Sequence, residues 1–323
     1  MAIKKYIFYD IIRIFQNKGY LLSNSIPHIP VLYHEVLEVF SNINEGYIID
    51  CTLGYAGHSL GIISSNKNIN LICNDQDDEA LEFSKKRLNK YLSRITFNKG
   101  NFKDVIKKFE HLPIRGILAD IGVSSLQLDK DERGFGFKSE VLDMRMDQNQ
   151  ELSASTIVNE YSQKDLEFIL KEYGEVKEYK KVANLILQNR PFNSAIELSS
   201  MLEKNMHKGK LHAATLPFQG IRIAVNNELG VLEELFDSIK ESKLTDCLVA
   251  IISFHSLEDR IVKNYFKSWA KKCICPSHVM RCECGNNNQI GKILTKKPII
   301  PTKQEIKVNS RSRSSKMRVF KID

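Results

Sequence analysis

The chain has 323 residues, 42% of them hydrophobic and 27% charged, enough to bury one large core or two and balanced like a soluble globular protein. Its net charge of +8 is confined to residues 292–323, where ten Lys or Arg face two acids; the remainder is neutral. No apolar run approaches the ~20 residues of a membrane span, and the seven cysteines fit a reducing, cytoplasmic setting better than a disulfide framework.

Residues 1–25 scatter Lys4, Lys5, Asp10, Arg13 and Lys18 among apolar residues, and Asp10 and Arg13 interrupt any signal-peptide core. They read as an extra N-terminal extension. Pro27 and Pro30 then lead into an amphipathic helix that begins near His34 and Glu35.

The stretch 46–59, GYIIDCTLGYAGHS, organises the rest of the chain. An apolar strand stops at Asp50, turns through Gly54 and Gly57, and enters a helix at His58 and Ser59. That is the opening of a nucleotide-binding βαβ unit. The phosphate fingerprint G-x-G-x-x-G is absent, which favours a nucleoside-type ligand without phosphates, such as S-adenosylmethionine.

Strands at 47–51, 69–74, 95–98 and 116–121 alternate with helices at 57–65, 77–91 and 102–110. The alternation predicts an α/β fold with a doubly wound, mostly parallel sheet, whose ligands bind beyond the carboxyl ends of the strands. Those ends carry Asp50 to His58, Asp75 to Asp77, Gly100-Asn101-Phe102, and Asp120 to Ser125. Asp75 follows the glycines at the interval of a ribose-binding acid. Asp120 enters a Gly-Ser-Ser loop; a capping turn is the competing reading there.

Residues 133–147 read as a loop in which Gly134 and Gly136 separate aromatics and Asp143, Arg145 and Asp147 alternate with methionines. Aromatics beside Arg can stack on an unstacked base. Residues 151–242 are helical by periodicity, at 163–173, 175–188, 194–206 and about 229–241, and suggest an inserted lid or substrate domain. Within it, 218–226 mixes Arg222 and Asn226 into an apolar run and is expected to face the cleft, with polar groups that pack helices together the equal alternative.

A strand resumes at 246–254 and places His255 at another carboxyl end, with Ser256-x-x-Asp259 expected to cap helix 257–270. A substrate-orienting His and a structurally bonded one both fit. Cys273, Cys275, Cys282 and Cys284 form C-x-C-x6-C-x-C, a candidate structural zinc site, with free surface thiols the other reading. The basic segment reads as a tail that meets a polyanion.

These residues resemble one family, the bacterial 16S rRNA cytosine-N4 methyltransferases. The matching stretches are HIPVLYHEVL at 28–37, DCTLGYAGHS at 50–59, NDQD at 74–77, DIGVSSLQLD at 120–129, RGFGF at 133–137 and LDMRMD at 142–147. FQGIRIAVNNEL at 218–229, SFHSLEDRIVK at 253–263 and NSRSRSSKMRV at 309–319 complete the series. They run in the family's order from about residue 26 onward.

The resemblance implies a Rossmann-like class I methyltransferase with an inserted helical domain. The core would fall at 26–132 and 243–323 and the loop and insert at 133–242. By motif position it implies S-adenosylmethionine contacts at Ala56, Gly57, His58, Asp75, Phe102, Asp120 and Gln127. Asp120, Ser124, Asp143, Arg145 and His255 are the expected catalytic and pocket residues. Arg311, Arg313, Lys316 and Arg318 are the expected RNA contacts. The implied partner is 16S rRNA in the small ribosomal subunit, for a monomer or homodimer off the membrane. A methyl on Ala56, where the family usually has glycine, is expected to be tolerable only at negative φ. A small-molecule methyltransferase on the same fold and a non-catalytic RNA-binding assembly factor are the competing functions.

Overall fold

The computed structural model describes residues 29–123, 130–206, 211–276, 278, 279 and 281–323. The N-terminal extension, Ser124 and Gln127 lie outside the described residues. Seven strands form one sheet in the order β3-β2-β1-β4-β5-β7-β6. They are β1 (Gly46–Asp50), β2 (Ile69–Asp75), β3 (Ile95–Lys99), β4 (Ile114–Asp120), β5 (Cys247–Ser253), β6 (Gly291–Ile293) and β7 (Lys316–Ile322). β1 to β5 pair in parallel; β7 runs antiparallel to both β5 and β6.

The central strands read as continuous Ile, Leu, Val and Ala runs because both faces are covered. On one face Ile49, Ile72, Ile117 and Val249 pack with Val105, Phe236, Val262, Phe266 and Trp269 from helices. On the other, Ile48, Leu71, Leu118 and Ala250 pack with Val36, Phe40, Ile62 and Ile63. A third core, from Phe135 to Val225, is helical.

Two expectations are corrected here. The helix Glu228–Glu241, expected in the insert, sends Leu232, Leu235, Phe236 and Ile239 into the sheet core. Lys103–Glu234 (2.7 Å) and Lys107–Glu241 (2.8 Å) tie it to the helix Phe102–Phe109. The end of the basic segment is no tail: residues 316–322 are β7, which lies between β5 and β6 with Met317, Val319, Phe320 and Ile322 buried.

The strand order reverses between β1 and β4, the topological switch point at which such sheets open a crevice. The loops after β1, β2, β4 and β5 converge there.

Candidate active site

A cleft of about 350 Å³ opens at the switch point. Its floor is the turn after β1. Gly54 adopts φ 50° there, and its N–H donates to Asp75 Oδ2 at 2.8 Å. Asp75 Oδ1 accepts from the Asp77 N–H at 2.9 Å. Burial pushes the Asp75 carboxyl up to about 6, against the pull of those two donors. The acid is thus aimed by one backbone N–H from the turn after β1 and one from its own loop.

Ala56 departs from expectation. It sits at φ 57°, ψ 30°, in the left-handed region, as the residue before the helix Gly57–Ser65. Its methyl is fully buried among apolar neighbours, so the packing overrides a conformational cost of about 1–2 kcal/mol for a non-glycine residue. Gly57 is needed for a different reason: a Cβ there would lie 2.2 Å from Pro30 Cγ. Pro30 closes the cleft over this turn, and Ala56 itself does not line it.

Behind the turn, Asp50 is buried and accepts from the Ser59 hydroxyl (2.6 Å) and the Thr52 N–H (3.3 Å). Burial raises its pKa. Thr52 in turn receives the Asp120 N–H at 2.8 Å, which fixes the end of β4 beside β1. His58 Nε2 stands 3.7 Å from Asp120 Oδ2. Both ring nitrogens of His58 and Asp120 Oδ1 are buried without a hydrogen-bond partner among the described residues. Buried polar atoms are rarely left so; three around one cavity mark a surface shaped for a polar ligand.

Asn101 caps the helix Phe102–Phe109 through the Lys103 N–H. That cap sets Phe102 at the cleft wall. Cys51, Cys73 and Cys247 are buried beneath the sheet's end and centre; burial raises their thiol pKa values, that of Cys247 to about 12. They are core residues without thiolate reactivity.

The far wall comes from the insert and its neighbours: Met146, Arg222, Asn226 and Glu228. Arg222 holds Glu228 through two 2.8 Å bonds. Asn226 accepts the Met146 N–H and donates to the Met144 carbonyl, each at 2.8 Å, which fixes the 143–147 loop. Of residues 218–226, Arg222 and Asn226 line the cleft, while Phe218, Ile221 and Val225 pack in the helical core.

Several expected residues are placed elsewhere. Asp143 and Arg145 grip each other (2.8–3.1 Å), and Arg145 also donates to the Gln148 and Gln150 carbonyls. They hold their own loop and do not line the cleft. His255, not Ser256, is the N-cap of the helix Ser256–Trp269, in a capping box with Glu258 rather than Asp259. Its Nε2 lies 3.0 Å from Glu258 Oε1. Glu258 Oε2 accepts the Phe254 N–H at 2.7 Å. This histidine caps its helix and lines a neighbouring recess rather than the cleft.

Arg318 is corrected too. It is 8% exposed and bound to Asp259 at 2.6 and 3.1 Å, inside β7. It is a strut between β7 and the helix Ser256–Trp269, not a phosphate contact. Arg311 lines the cleft, whereas Arg313 and Lys316 line the recess beside it.

Arg133 was not singled out from the sequence. It is 3% exposed, donates to Asp77 at 3.0 Å, and donates to the carbonyls of Arg145 (3.2 Å) and Met146 (3.0 Å). It thus couples the Asp75 loop to the 143–147 loop. The buried R-G-F-G-F arginine was visible, but its partner lies 56 positions away.

The four clustered cysteines lie beyond the other end of the helix Ser256–Trp269. Their sulfurs fall within 4.8 Å of one another. Cys273–Cys282 and Cys282–Cys284 are 3.6 Å apart, and Cys284–Cys273 is 3.7 Å. A tetrahedron with metal–sulfur bonds of about 2.3 Å has edges of about 3.8 Å. Two sulfurs also accept backbone N–H groups, from Ile274 to Cys284 and from Glu283 to Cys275, each at 3.3 Å. The Ile274 N–H, with that of Asn286, pulls the Cys284 thiol down to about 6.

The profile of the MraW methylase family matches residues 25–323. The chain belongs to the MraW methylase family. This is a family of S-adenosylmethionine-dependent methyltransferases, and the phosphate-free glycine turn, the ribose-type acid and the unpartnered His58 and Asp120 atoms suit that donor. An Aliarcobacter butzleri protein named ribosomal RNA small subunit methyltransferase H is 72% identical over 298 residues, 92% of this chain and 99% of the relative. Proteins of the same name from Sulfurimonas denitrificans and Campylobacter jejuni are 57% and 51% identical. The former covers 92% of this chain and 99% of its own length; the latter covers 91% and 97%. No helix of the described residues is long and apolar enough to cross a membrane.

Proposed function

We propose that this protein methylates the N4 amine of a cytidine in 16S rRNA, near the decoding centre of the assembling small subunit, in the cytoplasm. The observation that carries this reading is the cleft: Asp75 on one side, and buried unpartnered His58 and Asp120 atoms on the other. It stands in a chain whose relatives bear the small-subunit rRNA methyltransferase name.

S-adenosylmethionine, when bound, supplies a methyl on a sulfonium sulfur. Asp75 accepts the ribose hydroxyls, Phe102 lies against the base, and Gly57 and His58 hold the amino-acid end at the helix start. By motif position Gln127 joins this set. The cytosine amine is a weak nucleophile, since its lone pair is delocalised into the ring. Asp120 Oδ1 would accept an N–H of that amine, offset the positive charge that develops as the N–C bond forms and the sulfur–methyl bond breaks, and take up the proton that the methylated amine loses. By motif position Ser124 belongs with Asp120 in this role. Met146, Arg222 and Asn226 frame the space into which an unstacked base turns. Asp143 and Arg145 act by holding the Met146 loop.

Arg311, Arg313 and Lys316 face the rRNA backbone, and the four cysteines hold one structural zinc. Methyl transfer from labelled donor to small subunits lacking the modification, followed by nucleoside mass spectrometry, tests the reaction. N4-methylcytidine at one site is expected; label on another base or on a small molecule would refute it. Elemental analysis of the purified protein is expected to find one zinc per chain, lost in Cys282→Ser. Wild-type protein purified without chelators and free of zinc would sink that assignment.

A further inference from the structure

Beside the cleft lies a second recess of about 270 Å³, open to solvent. The two share Phe254 and Ser314. The Phe254 ring divides them, wedged so closely against Gly122 that a Cβ there would lie 2.5 Å from it. The recess floor is apolar: Pro301 is buried, Ile306 is half-buried, and Ile300 is 63% exposed. Its wall carries Arg313 and Lys316.

We propose that this recess receives the nucleotide adjacent to the target cytidine on a single-stranded rRNA segment. The inference rests on the rRNA reading and extends it to a subsite. A base laid on Ile300 would cover an aliphatic side chain otherwise left in water. Its phosphate would meet the two cations. The one carboxylate near Lys316 among the described residues is Asp259, at 3.9 Å, and Arg318 already holds both its oxygens. The carboxylates that touch other lining residues are likewise held, Glu175 by Ser256 and Arg260 and Glu258 by the Phe254 and His255 N–H groups, which leaves Arg313 and Lys316 to a ligand. A strand with one base in the cleft has its neighbour beside Phe254, where the recess begins. The 2′-hydroxyl and base faces of unpaired RNA are the groups that proteins read in this way.

The test is fluorescence anisotropy with short single-stranded RNAs centred on cytidine, with S-adenosylhomocysteine present. One RNA is complete; two others are abasic on the 5′ or the 3′ side of that cytidine. Ile300→Ser alters an exposed side chain and leaves the core intact. It is expected to weaken the complete RNA several-fold and to have no effect on one of the abasic RNAs. Arg313→Gln with Lys316→Gln is expected to weaken all three and to flatten the log–log salt slope by about 0.7, the change for one phosphate on a single strand. Equal effects of Ile300→Ser on all three RNAs, or unchanged binding in both variants, would overturn the subsite. Wild-type protein is assayed in parallel on small subunits. Absence of transfer there counts against the methylation reading, while the binding comparison alone judges the recess.

Discussion

Arg133 gives the sharpest test of how the cleft is held. Replacing it with Met removes the cation from Asp77, which is 8% exposed, and strips two carbonyls of their donor. Asp77 would keep only the Glu79 N–H at 3.0 Å. Breaking a buried ion pair from one side costs about 3–5 kcal/mol. The buried Arg133 Nε has no partner among the described residues, so its removal returns a little of that cost, and we place the loss near 4 kcal/mol. At ~2.1 cal/mol/K of unfolding entropy per residue, this lowers Tm by roughly 6 °C. Asp77→Asn should cost a similar amount, and the double variant clearly less than the sum, since no lone charge stays buried. Thermal unfolding monitored by circular dichroism reads all three. Titration calorimetry with S-adenosylhomocysteine should also show weaker binding in Arg133→Met, because Met146 lines the cleft. A Tm change under 2 °C, or strict additivity, would refute the strut.

Cofactor affinity should fall as the pH drops below about 6, by up to tenfold per unit, because Asp75 must be a carboxylate to accept hydroxyls. Asp75→Asn should bind weakly with a flat profile in calorimetry; a wild-type profile flat from pH 5 to 8 would refute the assignment. The stability effect has the opposite sign. A carboxyl raised from 3.8 to about 6 stabilises the free fold most at low pH, and that contribution is lost as pH rises through 6. Gly57→Ala should displace Pro30 and weaken cofactor binding at least tenfold; unchanged affinity would show that Pro30 is not seated on the turn. Arg318→Gln should lower Tm by several degrees and leave the salt slope of RNA binding unchanged, whereas a changed slope with an unchanged Tm would restore it as a phosphate contact.

Most of the sheet was legible because its signals are local. Apolar runs that end at Asp50, Asp75 and Asp120 with glycine or a cap residue close by announce strand, turn and helix without knowledge of the rest of the chain. Helix 57–65 matches the observed Gly57–Ser65, and the strand ends deliver the acids where expected. Ala56 was misread because composition says nothing about how much packing can hold a non-glycine residue at φ 57°. Helix Glu228–Glu241 was assigned to the insert on continuity. Its apolar stripe could serve either core, and only the register of the fold turns Phe236 toward Tyr265, Phe266 and Trp269.

The basic segment shows where sequence reasoning about charge stops. A run of cations with few acids implies a polyanion only if the cations face outward, and alternation along 316–322 puts Lys316 and Arg318 on one face, both beside Asp259, and Lys321 on the other, beside Asp246. Arg318 finds Asp259 and Lys321 finds Asp246, partners 59 and 75 positions earlier. Net charge is indifferent to such pairing, since every acid was already counted. What the fold adds is position: β7 enters the sheet between β5 and β6, so Arg311 is carried to the cleft and Arg313 and Lys316 to the recess beside it. The strand that reads as a tail in the sequence is thus the element that aims these cations at the place where a nucleic acid substrate would enter.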